Sequence, residues 1–210
     1  VGTAMVLIEQ NRLDEARQQL DTATTLGEHA GLPQNAYRSR VAAAELAAAV
    51  GDLDEADRLF AEAVPRYATD FSPPTHPVAA RAARLDVRRG DLTAARRWAD
   101  GARVGAGDPV SYVREYELVT LARILVATSH PQPGERVGDD VVALLERLLD
   151  AADAADRSGS VIEILVVLAA AHHSRGDPHA ATLAIDRALS LAVDLGHVRV
   201  FLDTVPSLEP

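Results

Sequence analysis

The residues of this chain with the most obvious chemical potential are two acidic clusters, Asp52/Asp54/Glu55/Asp57 and Asp150/Asp153/Asp156, and three histidines, His172, His173 and His179. Paired carboxylates can divide acid and base work between them, and imidazoles at ligand spacing can hold a metal. The spacing argues against both uses. The first cluster opens a helix, where negative charge complements the N-terminal dipole, and the second steps along one solvated helix face. Neighbouring helical residues point about 100° apart, so His172 and His173 cannot share an ion, and the i, i+4 histidine pair of a metallopeptidase helix is missing. Ser111, Ser158 and Ser160 lack the G-x-S-x-G setting of an activated nucleophile. No catalytic residue and no metal ligand is expected, and the chain is read as a non-enzyme.

There is no cysteine, which removes disulfides, thiolate nucleophiles and cysteine-bound zinc together and fits a reducing cytoplasm. All 21 basic residues are arginine, so the lysine chemistries of P-loop NTPases, Schiff-base enzymes and kinases have no residue to use. No cofactor is expected. A formal net charge of -10 opposes a phosphate-backbone footprint, so direct contact with nucleic acid is not expected. There is neither a long apolar run of membrane-spanning length nor a signal-peptide pattern, so no membrane contact is expected. The start at Val1 and the stop at Pro210 in mid-pattern suggest a piece of a longer protein.

With 48% hydrophobic but only 4% aromatic residues, the interior must be filled by Ala, Leu and Val, which suits close helix-on-helix contact. The positioning elements declare themselves as a repeat. A turn and helix start recurs as Asn11-Arg12-Leu13-Asp14-Glu15-Ala16, Gly51-Asp52-Leu53-Asp54-Glu55-Ala56, Gly90-Asp91-Leu92-Thr93-Ala94-Ala95 and Gly176-Asp177-Pro178-His179-Ala180-Ala181. The Gly or Asn can end one helix in a left-handed residue, and the Asp behind it can cap the next. Positions +4 and +7 from the last residue of each motif are apolar again, as in Ala56/Phe60/Ala63, and twelve residues upstream stand Ala4, Ala44, Ala83 and Ala169. Each motif thus joins two helices, and the small alanine lets the first pack closely on the second. The interval between Ala95 and Ala181 hides one more pair, marked by Ala122 and by Val141/Leu145/Leu148, with the surplus residues in the turn-rich stretch after Ser129.

The expected fold is all-α: a TPR-like right-handed α-solenoid of about five antiparallel helix pairs, with a repeat of about 40 residues. Residues 1–210 form a single helical-repeat domain, with repeats at about 1–31, 32–70, 75–105, 108–157 with a loop insertion at 129–137, and 158–196. A tail at 197–210 packs on the last pair or begins another. Trp98 is expected to pack between repeats, and His76-Pro77 to stop a helix.

Three strings in the second half carry a family resemblance. Arg114-Glu115-Tyr116-Glu117-Leu118-Val119-Thr120-Leu121-Ala122-Arg123-Ile124-Leu125-Val126-Ala127 resembles a helix of MalT-like, LuxR-family regulators. Leu144-Leu145-Glu146-Arg147-Leu148-Leu149, followed by Gly159-Ser160-Val161-Ile162-Glu163-Ile164-Leu165-Val166, is similar to the next two helices of that family, and Val198-Arg199-Val200-Phe201-Leu202-Asp203 to the segment that closes the array. The first half matches only the generic repeat. The resemblance implies a large bacterial transcriptional activator with an ATP-binding domain, a helical sensor array and a LuxR-type helix-turn-helix that contacts DNA, of which this chain is the array. It implies binding of an inducer or a protein or peptide partner on the concave face. The alternative is a free-standing TPR-like interaction scaffold; in either case exposed repeat faces favour self-association.

Family geometry places positions -6, -3, +1 and +4 from the small alanine on the concave side. The polar residues so selected are Arg38, Glu45, Arg84, Tyr116, Arg123, Glu163 and His173. Arg84 and Arg123 would favour anionic groups through charge-assisted hydrogen bonds. The competing reading makes Arg123 and Glu163 a structural ion pair between repeats.

Overall fold

The turn motifs fold alike in the computed structural model, which describes residues 1–30, 34–67, 74–129 and 137–204. Asn11, Gly51, Gly90 and Gly176 take left-handed φ angles of 58°, 90°, 76° and 77°. The next amide reaches back to the carbonyl five residues earlier, Arg12 to Leu7, Asp52 to Ala47, Asp91 to Asp86 and Asp177 to His172, at 2.8–3.0 Å. This is the Schellman closure of a helix C-terminus. Nothing lies within 4 Å of where a Cβ would stand at Gly51, Gly90 or Gly176, so the backbone angle, not crowding, asks for glycine. Asp52, Asp91 and Asp177 then cap the following helix, accepting from the amides of Glu55, Ala94 and Ala180 at 3.1, 2.9 and 2.9 Å.

Eleven α-helices result among the described residues, and no strand: α1 Gly2–Glu9, α2 Leu13–Ala30, α3 Asn35–Ala49, α4 Leu53–Ala63, α5 Val78–Arg89, α6 Leu92–Ala102, α7 Tyr112–Thr128, α8 Asp139–Asp153, α9 Ser158–Ser174, α10 Pro178–Leu195 and α11 Arg199–Thr204. They pack as sequential pairs, α1/α2 through α9/α10, a TPR-like arrangement. Of the expected loop insertion, 130–136 lies outside the described residues, as does 205–210 of the tail.

The marker alanines sit where close approach requires them. Ala4, Ala44 and Ala122 are fully buried, Ala83 is 1% exposed and Ala169 8%. The second-helix stripes Ala56/Phe60/Ala63 and Val141/Leu145/Leu148 are buried as well. In α10 the stripe is displaced: Ala184, Ala188 and Ala192 are buried, while Ala181 and Ile185 are half-buried and Leu183, Leu189 and Val193 face outward. Trp98 packs half-buried against the largest core cluster.

The odd-numbered helices form an inner row. α1 touches α3, α5 touches α7, α7 touches α9, and α9 touches α11, which in turn touches α1. Between α3 and α5 the link is polar, with Arg81 bound to Glu45 and Arg88 donating to the Ala48 carbonyl at 2.9 Å. The sequence pointed to a concave groove along the inner row; in the structure the two ends of that row also meet. The expected tail supplies the closing piece, α11, and just before it the Val198 amide donates to the Glu9 carbonyl at 3.1 Å.

Candidate functional site

At the centre of the inner row lies a half-open cavity of about 210 Å³ whose wall takes residues from α1, α3, α5, α7, α9 and α11, with Phe60 of α4. Arg81, Arg84 and Arg88 recur at steps of three and four residues on one face of α5, and all three line it, joined by Arg123 of α7 and Arg199 of α11. Four carboxylates share the wall: Glu9, Glu45, Glu163 and Asp203. Five cations against four anions give the centre a small positive excess inside a chain of formal net charge -10.

The densest part joins α5, α7 and α9. Arg84 donates from Nε to Thr120 Oγ1 at 2.7 Å, from one Nη to Glu163 Oε1 at 2.6 Å and from the other to the Tyr116 carbonyl at 3.2 Å. Its guanidinium carbon lies 3.5 Å from the centroid of the Tyr116 ring, a cation–π stack. Arg123 donates to the same Glu163 oxygen at 2.8 Å, while its Nε is buried without a partner. Burial alone would raise the Glu163 carboxyl, but the charges of Arg84 and Arg123 outweigh it and hold the group below its usual range. Burial and the neighbouring Arg84 charge push Arg123 downward, and burial pushes the Tyr116 phenol up.

A second cleft of about 240 Å³ shares Tyr116 and Glu163 with the first and adds His76, Tyr112, Glu115, Arg157 and Ser160. The His76 ring packs on Tyr116 with centroids 4.5 Å apart. Desolvation in the cleft and the nearby charges of Arg81 and Arg84 push His76 down to about 4, so its ring is neutral at pH 7. Glu115 is committed on both oxygens, to Arg157 and Ser160. Charged and aromatic side chains line both cavities. Their guanidiniums can hold an anionic group, and their tyrosines a flat one.

The model of the MalT-like TPR region matches residues 1–210. The chain belongs to the MalT-like TPR family. Among solved structures it is similar to a single-residue variant of a Podospora anserina protein assigned as a kinesin light chain with nearly identical TPR-like repeats. The TM-score is 0.50 at 18% identity, with 92% of each chain covered, which is a likeness of fold. No curated protein matches. No helix among the described residues is long and apolar enough to cross a membrane.

In this MalT-like TPR region the seven candidate residues divide. Glu45, Arg84, Tyr116, Arg123 and Glu163 meet in the cavity. Arg38 and His173 do not join them: both are exposed, and neither lines either cavity. The wall runs through the C-terminal ends of α1 and α3, through both halves of α7 and through the N-terminal half of α9. Successive pairs are therefore offset along their axes, and a fixed phase from the marker alanine does not stay level around the ring. Five polar wall residues fall outside that phase: Glu9, Arg81, Arg88, Arg199 and Asp203. The three-and-four spacing of Arg81, Arg84 and Arg88 was a visible sign for two of them.

The acidic clusters have structural partners. Asp52 caps α4, and both Asp153 oxygens accept from Arg187 at 2.7 Å. No three metal-ligating side chains converge among the described residues.

Proposed function

We propose that this MalT-like TPR region is the effector-sensing array of a LuxR-family transcriptional regulator of the cytoplasm. In this reading it binds a small ligand carrying a phosphate or carboxylate in the arginine-lined cavity and passes that event to separate ATP-binding and DNA-binding domains, touching no nucleic acid itself. The observation that carries the reading is the convergence of Arg81, Arg84, Arg88, Arg123 and Arg199 on one central space in an acidic chain. Guanidiniums present paired donors to phosphate and carboxylate oxygens, and inside a cavity such bonds are screened less than at a surface. Arg123 adds a buried Nε donor with no partner.

Titration calorimetry with citrate and inorganic pyrophosphate tests both anion chemistries. Saturable, salt-sensitive binding is expected. It should weaken about tenfold or more in an Arg84→Ala/Arg123→Ala double variant that keeps its helical circular dichroism. Failure of both anions to bind the unaltered chain at millimolar concentration overturns the reading.

A second reading, an interaction scaffold, draws on α10, where Leu183 is 59% exposed and Val193 79%. Light scattering across a concentration series would show self-association if that face docks a second copy, and a constant monomer mass would count against it.

A further inference from the structure

The helix that closes the ring brings its own anion to the arginine cavity. The Asp203 carboxylate lies 3.3 Å from Nη1 of Arg88 and is gripped from behind by Arg199 of the same helix. α11 hangs in turn on the last residue of α1. The Val198 amide donates to the Glu9 carbonyl and the Val200 amide to Glu9 Oε1, each at 3.1 Å, and His197 Nδ1 lies 3.3 Å from the same carboxylate oxygen. The seam is narrow, since α11 is only six residues long and leaves Leu202 56% exposed.

We propose that α11 is a clasp: Asp203 occupies the anion position at Arg88, and a phosphate or carboxylate entering the cavity takes Arg88 from it and opens the seam between α11 and α1. The inference rests on the cavity being an anion site. The exchange strands no charge, because Asp203 keeps Arg199 when it leaves Arg88. Arg88 stays aimed inward because it also donates to the Ala48 carbonyl at 2.9 Å. A ligand that binds better to the open ring shifts the chain toward opening, and by the same coupling anything that loosens the seam tightens the ligand.

Hydrogen exchange at the Val198 and Val200 amides reads the seam directly, because both protons are donated across it. With the 210-residue chain at constant ionic strength, saturating inorganic pyrophosphate is expected to speed exchange at these two amides about fivefold or more, leaving amides in the middle of α7–α9 unchanged. Asp203→Asn should speed the same amides without ligand. Loss of a carboxylate would strengthen anion binding by charge alone, so the linkage is tested with Val198→Pro, which deletes one seam bond and alters no charge. That variant should bind pyrophosphate about two- to fivefold more tightly. Pyrophosphate bound by calorimetry with exchange at Val198 and Val200 unchanged overturns the clasp and leaves the anion site standing. Binding of neither pyrophosphate nor citrate, to the unaltered chain or to Val198→Pro, overturns the anion site, and the clasp with it.

Discussion

The first and second halves of the array use one repeat and fill it differently. The ten largest fully buried side chains all lie in α7, α8 and α9, among them Leu118, Ile124, Leu144, Leu145, Leu148, Ile162 and Ile164. In α1–α4 the fully buried positions are alanines, Ala4, Ala16, Ala42, Ala44, Ala56 and Ala63, with larger residues such as Leu7, Leu20 and Leu59 at 5–7% exposure beside them. The apolar interior follows the same division. One continuous cluster runs from Ala83 to Ala192, whereas the first half holds two smaller ones, around Ala44 and around Ala4. Alanine brings helices close but removes little apolar area from water, and leucine removes much more. In a stack whose units touch mainly their neighbours, stability is close to a local sum. The second half should therefore be the firm half and the first the one that yields.

The largest effect expected is in the firm half. Leu145 has no exposed surface, and Leu145→Ala should cost about 2–5 kcal/mol through lost burial and the cavity left behind. Leu20→Ala, in the first half at 7% exposure, should cost less and relax locally. Urea denaturation of the two variants checks this, and equal losses would end the distinction between the halves.

Next in size is the tie between them. Glu163 of α9 holds Arg84 of α5 and Arg123 of α7. Glu163→Ala would leave two largely buried guanidiniums without their carboxylate. The expected cost is about 2–3 kcal/mol, below the range for a fully buried pair because 22% of the Glu163 side chain meets solvent. Its folded-state carboxyl is held below the ordinary value. Its stabilisation is therefore present above the unfolded value near 4.5 and is lost as pH falls through the folded one. Thermal melts below pH 4.5 should show that acid loss in the unaltered chain and a weaker one in Glu163→Ala.

These contrasts also show what the sequence could reveal. The pairing of helices was legible because each turn carries its own instruction: Gly51 and Gly90 supply the left-handed residue and Asp52 and Asp91 the cap, all within a few positions. Marker alanines such as Ala44 and Ala122 then fix which faces meet. The meeting of Arg84, Tyr116, Arg123 and Glu163 was legible through the same phase, one repeat apart. Closure was not. The contacts of Glu9 with Val198 and Val200, and of Arg88 with Asp203, depend on small rotations summed over five pairs, and no local spacing records such a sum. Arg38 and His173 stand outside both cavities for that reason too, being in phase but at another level.

Loss of a turn cap is a smaller perturbation and compares the halves at constant chemistry. Asp52 and Asp177 make the same bond, at 3.1 and 2.9 Å, in the first and last parts of the stack. Replacing either by Ala should cost about 1 kcal/mol. The difference belongs in the spread of the damage: Asp52→Ala should speed amide exchange throughout α4, while Asp177→Ala should be confined to the first turn of α10, which packs on the firm core. Equal spread would mean that the alanine-filled half is as cooperative as the leucine-filled one.

The smallest effect expected sits where the two halves share an aromatic contact. His76, just before α5, packs on Tyr116 of α7 and is pushed down to about 4 from an ordinary 6.5. The unfolded chain thus takes up a proton at this residue between pH 6.5 and 4 that the folded chain refuses. This contribution is full above pH 6.5 and drains away as pH falls toward 4. His76 is an exposed residue, so screening keeps the effect below about 1 kcal/mol. His76→Asn should flatten the stability profile between pH 6.5 and 4.5, a window above the one in which Glu163 titrates. Titration of the His76 ring protons by NMR locates the group directly: a midpoint near 4 places it desolvated in the cleft beside Arg81 and Arg84, while a midpoint near 6.5 would mean that the contact between α5 and α7 opens freely in solution.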